Sequence, residues 1–145
     1  MPIRDFRPDD SEALVEILKA NLQYGDPATE GPEAMMRVCE CKAAVFLVAE
    51  EDGKPVGLSR GVYDGSKALI HIVSVLPAYQ RRGIGAALVR ETARRFRERG
   101  ATNLSVTVPG DNLEFWHKLS FRMTTRIMFA HPIEKVVGLD RTPGQ

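Results

Sequence analysis

Residues 73 to 86 read Val73-Ser74-Val75-Leu76-Pro77-Ala78-Tyr79-Gln80-Arg81-Arg82-Gly83-Ile84-Gly85-Ala86. A β-branched run ends at Val75, Pro77 stops it, and two glycines open onto a helical pattern that continues to Arg99. Glycine-rich backbone between a strand and a helix N-terminus is a general way to hold phosphate. Free N–H groups converge there, and the positive end of the helix dipole faces the anion. Arg81 and Arg82 add two guanidinium groups suited to phosphate oxygens. Two phosphate motifs are excluded by subtraction. A dinucleotide fingerprint needs a third glycine or alanine at position 88, where this chain has Leu88, and a triphosphate loop needs Gly-Lys-Ser/Thr, which is absent.

Working outward, Gly83 to Arg99 is the clearest helix, with Leu88, Val89, Thr92, Ala93 and Phe96 on one face and Gly100 just past its end. Upstream lie three runs of strand type, Ala43 to Glu50, Pro55 to Tyr63 and Ala68 to Val75. The turns Glu51-Asp52-Gly53-Lys54 and Asp64-Gly65 join them, which predicts an antiparallel meander. Before these, Ile3 to Arg7 alternates like an edge strand and Asp9 and Glu12 are spaced as a capping box. Leu14, Ile17, Leu18 and Leu22 then repeat at helical spacing, so a first helix is expected from Ser11 to Tyr24. Glu33 to Cys39 suggests a second. Downstream, Leu104 to Val108 reads as a strand, Asn112 to Leu119 as a short helix, and Phe121 to Phe129 as a last strand, with Met123, Thr125, Ile127 and Phe129 on one side. The sum is a single α/β domain over residues 1–137 with a mixed, mostly antiparallel sheet and helices on both faces. Residues 138–145 form an unanchored tail.

At 145 residues the chain is one domain, long enough to bury a core without disulfide or metal staples, and 43% hydrophobic with 27% charged residues is an ordinary globular composition. Its longest apolar run, Ala43 to Ala49, is seven residues, and the N-terminus carries Arg4, Asp5 and Arg7 where a signal peptide would be apolar. No membrane partner and a cytoplasmic location are the expectations. Cys39 and Cys41 stand one residue apart, and with three scattered histidines they form no zinc spacing, so free thiols and no metal are expected. Charge is unevenly placed. Residues 1–52 hold 12 acidic and 5 basic side chains, whereas residues 53–145 hold 7 acidic and 15 basic. The run Arg94-Arg95-Phe96-Arg97-Glu98-Arg99 invites a nucleic-acid reading, but a net charge of +1 argues for a solvated helix face and no nucleic-acid partner.

Gln80, Gly83 and Gly85 fit the Gln/Arg-x-x-Gly-x-Gly/Ala signature of the GNAT superfamily of N-acetyltransferases, which the chain resembles over residues 2–130. Val73 to Tyr79 is similar to the strand and turn leading into that signature. Phe115-Trp116-His117-Lys118-Leu119-Ser120-Phe121 resembles the family's later Phe-Tyr-x-Lys-x-Gly-Phe segment. The resemblance implies an acyl-CoA N-acyltransferase fold and acetyl-CoA as cosubstrate. The pyrophosphate would rest on Gln80, Arg81, Arg82, Gly83, Ile84, Gly85 and Ala86, and the pantetheine between two splayed strands along Val73 and Val75. The Val73 N–H would polarise the thioester carbonyl. The acceptor would be a small-molecule amine or a peptide amine, attacking directly in a ternary complex. An ammonium has no lone pair to offer, so a base is needed. His71 is the candidate, two residues before Val73 and expected on the same face of the strand; His117 and His131 rank below it.

The chain departs from the family pattern at several places. Leu69 stands where many members carry a glutamate or histidine. Trp116 replaces the tyrosine that protonates the departing thiolate, and an indole does not ionise usefully. Trp116 is expected either to pack against the cofactor or to sit in the interior, with Tyr63 or Tyr79 as alternative acids. Ser120 takes a glycine's place, and the helix from Asn112 to the aromatic pair is short, so Asn112 carries a cofactor role only by position. The last hairpin is reduced to Phe121–Phe129, which predicts an acceptor site that is open or completed by a second subunit in a homodimer. Two other readings were weighed. Gly57-Leu58-Ser59-Arg60-Gly61 matches a serine-hydrolase elbow, but Val62 and Tyr63 continue as strand where that motif needs a helix. A non-catalytic acyl-CoA-binding or sensor protein would keep Gly83 and Gly85 while losing the acid and base.

Overall fold

A computed structural model describes residues 1–108 and 110–138 of the chain. Five strands form one sheet in the order β1 (Ile3–Asp5), β2 (Ala44–Glu51), β3 (Lys54–Tyr63), β4 (Ala68–Val75) and β5 (Ser105–Val106). The first four pair antiparallel and β5 joins β4 in parallel. Alternate residues of β2 serve two cores, because side chains of a strand point to opposite faces. Phe46 and Val48 pack with Leu14, Ile17 and Leu18 of helix α1 (Ser11–Ala20) and with Met35 of α3 (Pro32–Glu40). Val45, Leu47 and Ala49 pack with Ile84, Leu88 and Phe96 of α4 (Ile84–Glu98). Between α1 and α3 lies one turn of helix, α2 (Pro27–Glu30), and after β5 come the short α5 (Leu113–Lys118) and α6 (Glu134–Val137).

Ser59 is fully buried, its hydroxyl 2.7 Å from that of Thr92 on α4. It lies in mid-strand on β3, so the hydrolase elbow is excluded by structure as well as by pattern. At the start of the chain Asp10 is 5% exposed and takes both Arg4 amines, at 2.8 and 2.9 Å, together with the Arg7 N–H at 2.8 Å. Burial alone would push this carboxyl up. The Arg4 and Arg7 hydrogen bonds and charges outweigh it and hold Asp10 below the usual carboxylate range. Cys39 and Cys41 are both exposed and free.

Three expected elements differ. Helix α1 stops at Ala20 rather than Tyr24, because Leu22 turns to φ +57° and the Gln23 N–H closes back on the Leu18 carbonyl. The strand expected over Leu104–Val108 is two residues long. No strand forms over Phe121–Phe129: the alternation is present, but Met123, Ile127, Met128 and Phe129 are 63–95% exposed and the segment pairs with no strand among the described residues. Of the tail expected over residues 138–145, residues 139–145 lie outside the described residues.

Candidate active site

β4 and β5 meet only at Leu69–Ser105 and Ile70–Val106, with one further bond from the Thr107 N–H to the Ile70 carbonyl at 3.3 Å. From Ile72 to Val75, β4 has β3 on one side and, among the described residues, no strand on the other. The gap opens toward the N-terminus of α4. Side chains from the end of α1 tie down its rim. Asn21 Nδ2 donates to the Ser74 hydroxyl at 2.7 Å and to the Val75 carbonyl at 2.8 Å, and Gln23 Nε2 reaches the Val73 carbonyl at 3.4 Å. Gln80 Nε2 also donates to the Val75 carbonyl, at 2.9 Å, and to Asn21 Oδ1, at 3.1 Å. The Gln80 side chain therefore fastens the loop to β4. Neither Asn21 nor Gln23 was singled out from the sequence, where polar residues after an apolar stripe signal only a helix end.

The turn between β4 and α4 carries two left-handed residues, Arg81 at φ +66° and Gly83 at φ +82°. Gly83 is the N-cap of α4 and brings no side chain to accept the first N–H groups of the helix. A Cβ on Gly83 would meet nothing within 4 Å, so backbone conformation is what selects glycine there. At Gly85 the reason is proximity, since a Cβ would stand 3.3 Å from Phe115 Cζ and 3.8 Å from Val75 Cγ2. Ile84 sends its side chain into the core, and Ala86 follows on the first turn. Arg81 and Arg82 are exposed. Arg82 lies over the Tyr79 ring at 5.0 Å and 3.9 Å from Glu51. A helix N-terminus without a side-chain acceptor, preceded by two exposed arginines, fits a pyrophosphate.

His71 sits at an irregularity. The register runs Arg60–Ile72 and then Gly61–Ile70, which leaves His71 as the extra residue of a β-bulge. Ile70 and Val73 consequently share one cluster, with Trp116 and Val89 on the α4 side, although they are three residues apart. Ile72 packs on the α1 side. The expected shared face for His71 and Val73 is therefore not carried through the bulge. His71 is exposed, next in sequence to the residue paired with Arg60; crowding by surrounding atoms, and then the Arg60 charge, lower its pKa. Gly61 makes the bulge possible, because a Cβ there would stand 2.5 Å from the Leu69 carbonyl oxygen.

Trp116 is 6% exposed and packs edge-on between Phe115 and Phe121, at centroid distances of 4.9 and 5.2 Å. Its indole belongs to the interior, and the aromatic that borders the loop is Phe115. Ser120, in the glycine-like position, has φ +74° and closes α5 through Ser120 N–H to His117 O and Phe121 N–H to Trp116 O, both 3.0 Å. Asn112 is an exposed N-cap whose side chain makes no capping bond. His131 approaches Asp26 at 3.5 Å, so the C-terminal segment passes in front of α2. No helix is long and apolar enough to cross a membrane, and no cluster of three or more metal-ligating side chains occurs, both among the described residues.

Comparison with known proteins places this geometry. The model of the acetyltransferase (GNAT) family matches residues 11–121. "Acetyltransferase SG1711" of Sodalis glossinidius is 31% identical over 134 residues, covering 88% of this chain and 92% of that protein. Among solved structures, a transcriptional regulator from Bacillus halodurans superposes with a TM-score of 0.78 at 24% identity, over 90% of this chain and 98% of that one. The PaiA N-acetyltransferase of Thermoplasma acidophilum, solved in complex with coenzyme A, superposes with a TM-score of 0.70 at 17% identity, over 82% and 86% of the two chains. By the family match over most of its length and by its fold, the chain belongs to the GNAT acetyltransferase family.

Proposed function

We propose that the protein transfers the acetyl group of acetyl-CoA to a primary amine by direct attack in a ternary complex. The observation that carries this reading is the parting of β4 from β5 after Ile70, at the end of the sheet where α4 begins without a side-chain cap. A thioester cosubstrate supplies the activated acetyl group. Its pantetheine would lie along the open edge of Val73–Val75, and its pyrophosphate on the first amides of α4 with Arg81 and Arg82. The carbonyls of Val73 and Val75 are already held by amides from α1 and the loop, which supports a role for the Val73 N–H as the free donor to the thioester oxygen. His71, with its pKa lowered, is neutral at pH 7 and able to take a proton from the incoming ammonium. Trp116 acts by supporting Phe115 against the loop, and the thiolate leaves without an acid from this position.

The test is thermal unfolding with and without acetyl-CoA. At about 100 times its dissociation constant the ligand adds roughly 2.7 kcal/mol, or about 5–10 °C. A Gly85→Val change should remove the shift. Release of free CoA thiol on adding an amine then separates an enzyme from a binding protein, which would show the shift without turnover. The unpaired, strand-patterned segment Phe121–Phe129 supports a homodimer, in which it adds to the free edge of β5 in a second copy and helps wall the acceptor site.

A further inference from the structure

We infer that Arg60 binds an anionic group of the acceptor, so that the substrate is an amine carrying a carboxylate close to the nitrogen, as in an amino acid. This rests on the acetyl-transfer reading above and names the substrate class of the same site. Two acidic residues of the first half, Asp26 and Glu30, are held by groups of their own turn. Glu30 Oε1 accepts the N–H groups of Gly25 at 3.0 Å and Asp26 at 2.9 Å, and its Oε2 takes the Thr29 hydroxyl. Asp26 Oδ1 caps α2 through the Ala28 N–H at 2.9 Å, and Oδ2 faces His131. Arg60 stands on β3 opposite the bulge, half-buried, and makes one protein hydrogen bond among the described residues, from Nη1 to the Thr29 carbonyl at 3.2 Å. Among the described residues no carboxylate lies within 4.0 Å of it, whereas Arg4 and Arg95, also partly buried, each hold two.

A guanidinium has five N–H donors in a planar fork that matches a carboxylate, and a partly desolvated one gains most from such a partner. Arg60 and His71 stand on adjacent paired strands, whose backbones are about 4.8 Å apart, so an acceptor that offers an amine to His71 and an anion to Arg60 carries the two groups close together. Burial lowers the pKa of Arg60 and the nearby Glu30 charge opposes this, yet it stays protonated at any working pH.

The experiment measures kcat/KM for matched acceptors with and without the carboxylate: phenylalanine and phenethylamine, histidine and histamine, lysine and cadaverine. Wild type should prefer the carboxylate-bearing member of at least one pair by tenfold or more. Arg60→Ala should cut kcat/KM for that member by tenfold or more and leave its decarboxylated partner within threefold. Arg60→Gln, which retains a donor for the Thr29 carbonyl, controls for loss of structure and should show the same loss. Preference for the decarboxylated amines, or an equal loss on both members in both variants, overturns the inference while leaving acetyl transfer standing. If acetyl-CoA still raises the melting temperature but no acceptor of either kind is turned over, the transfer reading fails and this inference falls with it.

Discussion

Gly61→Ala tests whether the bulge in β4 positions His71. The added Cβ would lie 2.5 Å from the Leu69 carbonyl oxygen and 3.1 Å from Ile70 Cα. Ordinary contact begins near 3.4 Å, so β3 and β4 must separate locally by about 0.9 Å, and the atoms in the way are backbone that cannot swing aside. Forced expansion of a packed site costs about 1–3 kcal/mol, or roughly 3–10 °C in Tm at this chain length. The control is Gly65→Ala, whose Cβ meets nothing within 4 Å and whose cost is only that of φ +99°. Melting curves of the two variants should therefore rank Gly61→Ala as the less stable. Acetyl-CoA affinity should stay within about twofold, because the phosphate loop is remote in the register. Turnover should fall tenfold or more as the bulge that carries His71 is displaced. A Gly61→Ala protein that melts with wild type and turns over normally would refute the argument that close approach at Gly61 shapes the site.

For His71, the lowered pKa keeps the base form present at pH 7, and kcat should decline as pH falls through that value. His71→Ala should lose about 100-fold at neutral pH and less at pH 10, where the amine deprotonates unaided; equal losses at both would end the base assignment. Asp10→Asn should cost about 2–3 kcal/mol by leaving Arg4 half-satisfied, and calorimetry reads this as a drop of roughly 6–12 °C. Because the folded carboxyl titrates below its unfolded value of about 3.9, its contribution is complete above that pH and is lost as pH falls through the depressed folded value. The variant should show a shallower acid limb. Ser120→Gly should relieve a left-handed residue at the end of α5 and raise Tm by about 2–4 °C; a decrease would mean that the hydroxyl serves some other contact. Phe129→Glu should shift sedimentation from dimer to monomer, and wild type that sediments as a monomer at 100 μM or more would remove the homodimer proposal.

The phosphate loop was legible because it is local chemistry: Gly83 and Gly85 between a strand and a helix need no distant residue to be recognised, and Gly83 adopts the left-handed φ that its identity allows. The meander and α4 were legible for the same reason, since period-two and period-3.6 patterns and their terminating turns are written within each segment. Three features depended on residues far apart in the chain. Asn21 and Gln80 converge on one carbonyl of β4, 54 and 5 residues from it respectively, and help set the rim of the cleft. The bulge at His71 follows from register against β3 at Gly61, and it breaks the alternation that would set His71 on one face with Val73. In the sequence Arg60 is only part of a hydrolase-like pentapeptide, whereas folding sets it opposite the bulge with no carboxylate within 4.0 Å among the described residues. The strand expected over Phe121–Phe129 does not form although its alternation is present, because a strand also requires an edge to bond with. Sequence by itself determined most of the elements, the family and the glycine-rich loop, because these follow from spacing along the chain. Tertiary structure decided which side chains stand around the open edge of β4, because that depends on strand register and on which groups are already partnered.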